Sequence, residues 1–138
     1  MRRSWPATAA LALLATVAAC GDDDALTCVE VDLTCQPLYE PTFDNVFANT
    51  LAVKCGTGGS TCHSSEGHQA GLILDDKEQA HMLLLEHDRV IPGMPSCSLL
   101  IERVYARSSE MRMPPGPSAL SDPERCALAQ WIANGAMR

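Results

Sequence analysis

Aromatic side chains are scarce: two Trp, two Tyr and two Phe serve 138 residues. A folded interior is close-packed, so a domain this poor in large rings needs cross-links or a bulky non-peptide group to fill and hold its core. Basic charge is short as well. Ten Lys and Arg face seventeen Asp and Glu, a net charge of −7. Such a surface repels phosphate backbones, which argues against a nucleic-acid partner. The apolar run at residues 7–19 is shorter than the roughly 20 residues needed to cross a bilayer. No internal repeat or low-complexity tract stands out. Neither a Ser/His/Asp set nor an evident carboxylate pair can be assigned, so the chain does not read as an enzyme.

What the N-terminus does contain is a processing signal. Arg2 and Arg3 precede the apolar run, which has the length of a signal-peptide core and ends in Val17-Ala18-Ala19-Cys20. Small residues before a cysteine suit a peptidase cleft, and the thiol is the group that accepts a lipid. Residues 1–19 therefore read as a lipoprotein signal peptide and Cys20 as the lipidation site; an ordinary secretory signal is the alternative. The mature chain then has 119 residues, eight basic against seventeen acidic, a net charge near −9. Its expected place is the cell envelope, on the periplasmic or cell-surface side, held to a membrane by its lipid. Gly21-Asp22-Asp23-Asp24 reads as a flexible tether.

Six cysteines remain after Cys20: Cys28, Cys35, Cys55, Cys62, Cys97 and Cys126. An even number in an oxidising compartment favours disulfides, and six cysteines allow fifteen pairings. The six-residue interval from Cys28 to Cys35 suggests a local Cys28–Cys35 clasp. Cys97 and Cys126, far apart in sequence, are then expected to form a Cys97–Cys126 bridge that clamps the last helix. Residues 20–40 read as tether and clasp, and 41–138 as the domain proper.

The domain reads as four helices joined by long Pro- and Gly-rich loops, an all-α class. Phe43, Val46, Phe47 and Leu51 recur at helical spacing behind Thr42, a suitable N-cap. Residues 77–87 form a second helical stretch with Met82, Leu84 and Leu85 on it. Ser96 or Ser98 caps a third, containing Leu99, Leu100, Ile101, Val104 and Tyr105. Ser121-Asp122-Pro123-Glu124 has the pattern of a capping box with an early proline, ahead of Leu128, Trp131 and Ile132; Gly135 stops that helix. Met111 to Pro117, with three prolines, cannot be a regular helix or a central strand.

Chemistry concentrates at Cys55-Gly56-Thr57-Gly58-Gly59-Ser60-Thr61-Cys62-His63. Covalent haem attachment needs two thiols and a histidine directly after the second, so that one segment holds both the ring edge and the iron. Cys62-His63 provides the second half. Cys55 offers the first thiol across six intervening residues instead of two, and the glycines make a looped-out insert sterically easy. Met113, held extended by Pro114, presents a soft thioether of the kind that completes haem-iron ligation; filling a gap in the core is its other reading. A zinc site of Cys55, Cys62, His63 and His68 has the right donor types but matches no common spacing. His81 and His87 are expected to face solvent.

Cys62-His63, Ile91-Pro92-Gly93 with Ser98-Leu99-Leu100, Met113-Pro114-Pro115-Gly116, and Leu120-Ser121 with Trp131-Ile132-Ala133-Asn134-Gly135-Ala136 together resemble the planctomycete-type cytochrome c domain. The likeness extends over roughly residues 43–136, with the blocks in the family's order. It implies a small cytochrome c-like helical fold, haem c bound through Cys55 and Cys62, His63 as proximal and Met113 as distal ligand of the iron. The chain would then carry electrons to and from redox partner proteins of the cell envelope. The stretched Cys55–Cys62 interval is the departure from the family pattern. It leaves a second reading, a haem-free binding or structural lipoprotein in which Cys55 and Cys62 form a third disulfide.

Overall fold

A computed structural model describes residues 28–138; the segment read as a signal peptide, Cys20 and the residues read as an acidic tether lie outside the described residues. Among the described residues there is no strand, and no helix is long and apolar enough to cross a membrane. The domain is all-α, as expected from the periodicities.

Helix α1 covers Phe43–Val46 and widens at once into a π-helical stretch, Phe47–Cys55. Thr42 caps it, its hydroxyl accepting from the amide of Asn45. The amide of Gly56 donates to the carbonyl of Leu51 at 2.8 Å, five residues back, which is the wide-turn pattern. Phe43, Val46 and Leu51 are buried and Phe47 packs partly against them, so the apolar face read from the sequence is the face that enters the core.

Helix α2, Lys77–Leu84, starts on the Asp76 carboxylate, which accepts from the amide of Gln79 at 2.8 Å. It is shorter than its apolar pattern suggests. Leu84 is buried, but Met82 is 55% exposed and Leu85 lies outside the helix, 41% exposed. His87 and Asp88 take left-handed backbone angles that end any helical continuation.

Helix α3, Leu99–Tyr105, follows a short 3-10 turn at Pro95–Cys97, so Cys97 stands just ahead of the helix. Ser98 is fully buried; its hydroxyl donates to the Met94 carbonyl and accepts from the Ile91 amide, tying the turn to the helix start. Helix α4, Asp122–Ala133, forms behind the capping box read in the sequence. It buries Cys126, Ala127, Leu128, Ala129, Trp131 and Ile132, which makes it the central element of the core. Asn134 caps its end and Gly135 follows with φ of +96°.

Phe43 and Phe47 gather with Trp131 of α4. The Phe43 ring lies 5.5 Å from that of Trp131 and 5.9 Å from that of Phe47. His81 belongs to this group, contrary to the solvent-facing position expected for it. Its ring meets Phe43 edge-on at 4.7 Å, and its Nε2 donates to the Ala136 carbonyl at 2.9 Å. One helical turn shows which way a side chain points but not which segment folds over it, and here the C-terminal tail does so. His87 is exposed.

The disulfides differ from both pairings expected. In place of Cys28–Cys35 and Cys97–Cys126, the structure joins Cys28 to Cys97 and Cys35 to Cys126. Residues 28–40 are therefore a strap bound across the domain instead of a self-closed clasp. Hydrogen bonds hold the same alignment. The Val29 amide donates to the Ser96 carbonyl, the Leu38 amide to the Pro123 carbonyl, and the Gln130 side-chain amide to the carbonyls of Leu33 and Cys35. Each bond places a strap cysteine beside a domain cysteine, and the short interval between Cys28 and Cys35 becomes a span between two anchor points.

A polar link joins α4 to the end of the π-helical stretch Phe47–Cys55. Glu124 is 4% exposed; its carboxylate receives Lys54 Nζ at 2.6 Å and the amide and hydroxyl of Ser121, each at 2.8 Å. Burial pushes the Glu124 carboxyl up, but the hydrogen bonds from Lys54 and Ser121 outweigh it and hold the group below the ordinary value of 4.5. A lowered folded value means that this contribution to stability is complete above about pH 4.5 and disappears as the pH falls through the folded value. Glu124→Gln should cost about 1–2 kcal/mol at pH 7, modest because Lys54 stands 40% exposed to water. Thermal melts at pH 7 and pH 3 check this: the gap between parent and variant should narrow at the lower pH.

Candidate haem-attachment site

The segment from Cys55 to Leu74 is a compact loop built on backbone contacts. The π-helical stretch ends at Cys55, and the chain returns so that the His63 amide donates to the Cys55 carbonyl at 3.2 Å. The Leu74 amide donates to the His63 carbonyl at 2.6 Å, and the Gln69 amide to the Cys62 carbonyl at 3.2 Å. The six-residue insert does what the sequence reading required of it: it loops out and brings Cys62-His63 back beside Cys55. Gly58, with φ of +96°, makes the return possible. A Cβ on it would lie 2.6 Å from the Cys62 sulfur, so the absence of a side chain leaves the space that sulfur occupies.

Cys55 and Cys62 are both part-buried and are not bonded to each other. Burial pushes the Cys55 thiol up to about 12; the neighbouring Cys62 and Glu124 add to this and Lys54 opposes it. Cys55 is thus kept as a neutral thiol, weak as a nucleophile toward external reagents.

His63 is oriented by main chain. Its Nδ1 lies 3.0 Å from the Gln69 carbonyl oxygen, which can only accept, so Nδ1 carries a proton and in the neutral ring the lone pair falls on Nε2. A hydrogen bond of this kind fixes both the tautomer and the ring direction of a metal-binding histidine. The sequence gives no sign of Gln69 in this role, because it acts through a backbone carbonyl that any residue has.

Met113 reaches the surface separately. Its amide donates to the Arg103 carbonyl at 3.0 Å, joining the proline loop to α3, and its side chain is 36% exposed. It does not fill a gap in the core, which removes that alternative. Pro114, next in sequence, is buried and seats the loop.

The donor set fits haem c in kind. Two unbonded thiols stand on one loop, the following histidine is anchored through Nδ1 so that Nε2 is its metal-facing nitrogen, and a thioether is available on a second loop. The zinc arrangement does not form: among the described residues no three His, Cys, Asp or Glu side chains are grouped to hold a metal ion, and His68 is exposed. A separate cleft of about 370 Å³, bordered by Pro41, Phe43, Trp131 and Met137, shares no residue with the candidate site.

The family model described as Planctomycete cytochrome C matches residues 60–117, a span that contains Cys62, His63 and Met113. The match bears out the resemblance over the Cys62-His63, Ile91-Pro92-Gly93 with Ser98-Leu99-Leu100, and Met113-Pro114-Pro115-Gly116 blocks; Cys55 and the block from Leu120 to Ala136 lie outside it. No curated protein and no solved structure matches the chain.

Proposed function

We propose that this chain, whose central segment is of the planctomycete cytochrome c type, is a membrane-tethered c-type haem protein that carries electrons outside the cytoplasm. The observation that carries the reading is the loop itself: Cys55 and Cys62 meet unbonded beside a His63 whose Nε2 is left free by the Gln69 carbonyl. Cys55 and Cys62 would hold the porphyrin edge, with His63 and Met113 on the iron. Haem supplies a one-electron couple, and a His/Met pair raises its potential. The protein's own part is to hold His63 in one tautomer, bury one attachment sulfur and keep Met113 on a stiff proline loop. No catalytic set accompanies these groups, which supports a carrier over an enzyme, with redox proteins of the cell envelope as partners meeting it through small, transient contacts. Cys20 supplies the lipid anchor.

One observation favours a second reading. The matched segment begins at residue 60 and so contains only one of the two thiols. In a compartment that oxidises two other cysteine pairs, Cys55 and Cys62 would then close a third disulfide on a haem-free scaffold.

A single preparation separates the two. Full-length protein made in a host with haem c maturation machinery should show sharp α and β bands on reduction, and the colour should survive acid–acetone extraction. Cys55→Ser/Cys62→Ser should abolish retention of haem under that extraction. Colourless protein whose peptide map joins Cys55 to Cys62 would leave the haem-free scaffold. In the same host, Cys20→Ser should shift the protein from the membrane to the aqueous fraction; unchanged partition would refute the anchor.

A further inference from the structure

The described residues hold eight basic side chains, and their ion pairing is uneven. Lys54, Lys77, Arg89, Arg125 and Arg138 each meet a carboxylate within 4.0 Å. Among the described residues the three with no such partner are Arg103, Arg107 and Arg112, all within ten positions of one another and directly before Met113. Among the described residues, the positive charge without an ion-pair partner is thus confined to one stretch of an acidic chain.

That place is a continuous surface. Arg103 Nη1 donates to the Met111 sulfur at 3.3 Å, the Met113 amide to the Arg103 carbonyl, and the Arg112 amide to the Ser108 carbonyl at 3.0 Å. Arg112 Nη2 donates to the Gly116 carbonyl at 2.7 Å, which holds its guanidinium against the proline loop. Met111 is 43% and Met113 36% exposed, and Arg107 is exposed. Arginine and methionine are the residue types enriched at the centres of protein interfaces, because one forms forked charge-assisted bonds and the other adapts its shape.

We infer that the Arg103–Arg107–Arg112 face around Met111 and Met113 is a docking surface for a partner protein presenting clustered carboxylates. Charge complementarity selects that partner. The remainder of the domain has surplus carboxylates and repels an acidic body, so approach is favourable only through this face, and steering of this kind accelerates encounter at low salt. An anionic bilayer fits less well, since its uniform charge also confronts Glu102 and Glu110, which lie on the same stretch. The inference does not depend on haem, and its test has no haem readout.

Poly-L-glutamate labelled with a fluorophore is the probe, and the full chain in a non-ionic detergent is the receptor. Binding should be saturable and should weaken steeply with added salt. The triple variant Arg103→Gln/Arg107→Gln/Arg112→Gln should weaken it about tenfold, whereas Lys77→Gln/Arg138→Gln, which removes paired cations, should stay within about twofold of the parent. Should the triple variant fail to melt cooperatively, Arg107→Gln alone should still lose about twofold, and Arg107→Lys should restore it. Equal losses in the paired-cation control would overturn the inference, as would absence of binding by the parent. Displacement of the probe by soluble short-chain phosphatidylglycerol at matched charge would reassign the face to a membrane.

Discussion

The Cys35→Ser/Cys126→Ser variant should melt about 15 °C below the parent, and it should do so with its other bridge intact. Cys35 and Cys126 are 91 residues apart in sequence, and closing a loop of that length restricts the unfolded chain by about 4.5 kcal/mol in the chain-entropy account. The bridge from Cys28 to Cys97 closes an overlapping loop and already carries part of that restriction, so about 3 kcal/mol is expected from the second. For a domain of this size each kcal/mol lowers the melting temperature by roughly 4–8 °C. The same variant tests the pairing. With Cys28 bonded to Cys97, the Cys20→Ser form of the variant, denatured, unreduced and haem-free, offers only Cys55 and Cys62 to a thiol reagent. With the pairs Cys28–Cys35 and Cys97–Cys126 it would offer four, counting Cys28 and Cys97. Four reactive thiols, or a melting temperature near that of the parent, would refute the observed connectivity.

Replacing Gly67 by Ala should cost about 3 kcal/mol and dismantle the Cys62-His63 loop. A methyl group there would lie 2.5 Å from the Gly59 carbonyl oxygen, 2.6 Å from that of Cys62 and 2.9 Å from the Ser60 carbonyl carbon. All three are backbone atoms, so no flexible side chain can swing aside, and the loop must open to admit the methyl. Opening it breaks the Gln69-to-Cys62 contact that sets the distance between His63 Nδ1 and the Gln69 carbonyl. The expected signs are a lower melting temperature, faster alkylation of Cys55 as it leaves its buried place, and loss of bound haem in a maturation-competent host. A nearby substitution at an exposed position, Ser65→Ala, removes only the hydroxyl's bond to Asp75 and should leave the first two measurements close to the parent. If Gly67→Ala behaves like Ser65→Ala, the loop does not hold His63 as described.

These two substitutions differ in how visible their causes were beforehand. The glycines around Cys55 and Cys62 announced a loop, because positive φ and close approach are local requirements that glycine meets. Which atoms a methyl at Gly67 would strike depends on how Gly59, Ser60 and Cys62 come back across it. The helices were equally legible. Thr42 and Ser121 cap through bonds to residues three positions on, and the buried faces of α1 and α4 follow from spacing within two turns. Helix α2 was overread, since Met82 and Leu85 have apolar side chains that no neighbouring segment covers.

The sequence by itself determined the all-α class, the breaks at the glycine and proline loops, the adjacency of Cys62 to His63 and the stiff setting of Met113. Each rests on forces acting within a few residues of chain. The tertiary structure alone decided that Cys28 meets Cys97 and Cys35 meets Cys126, and that the Gln69 carbonyl sets the tautomer of His63. It also decided that His81 lies under the C-terminal tail and that the arginines before Met113 form no ion pair within 4.0 Å. Those outcomes depend on which distant segments are brought together when the faces of α1 and α4 are buried, and that choice is made by the whole core.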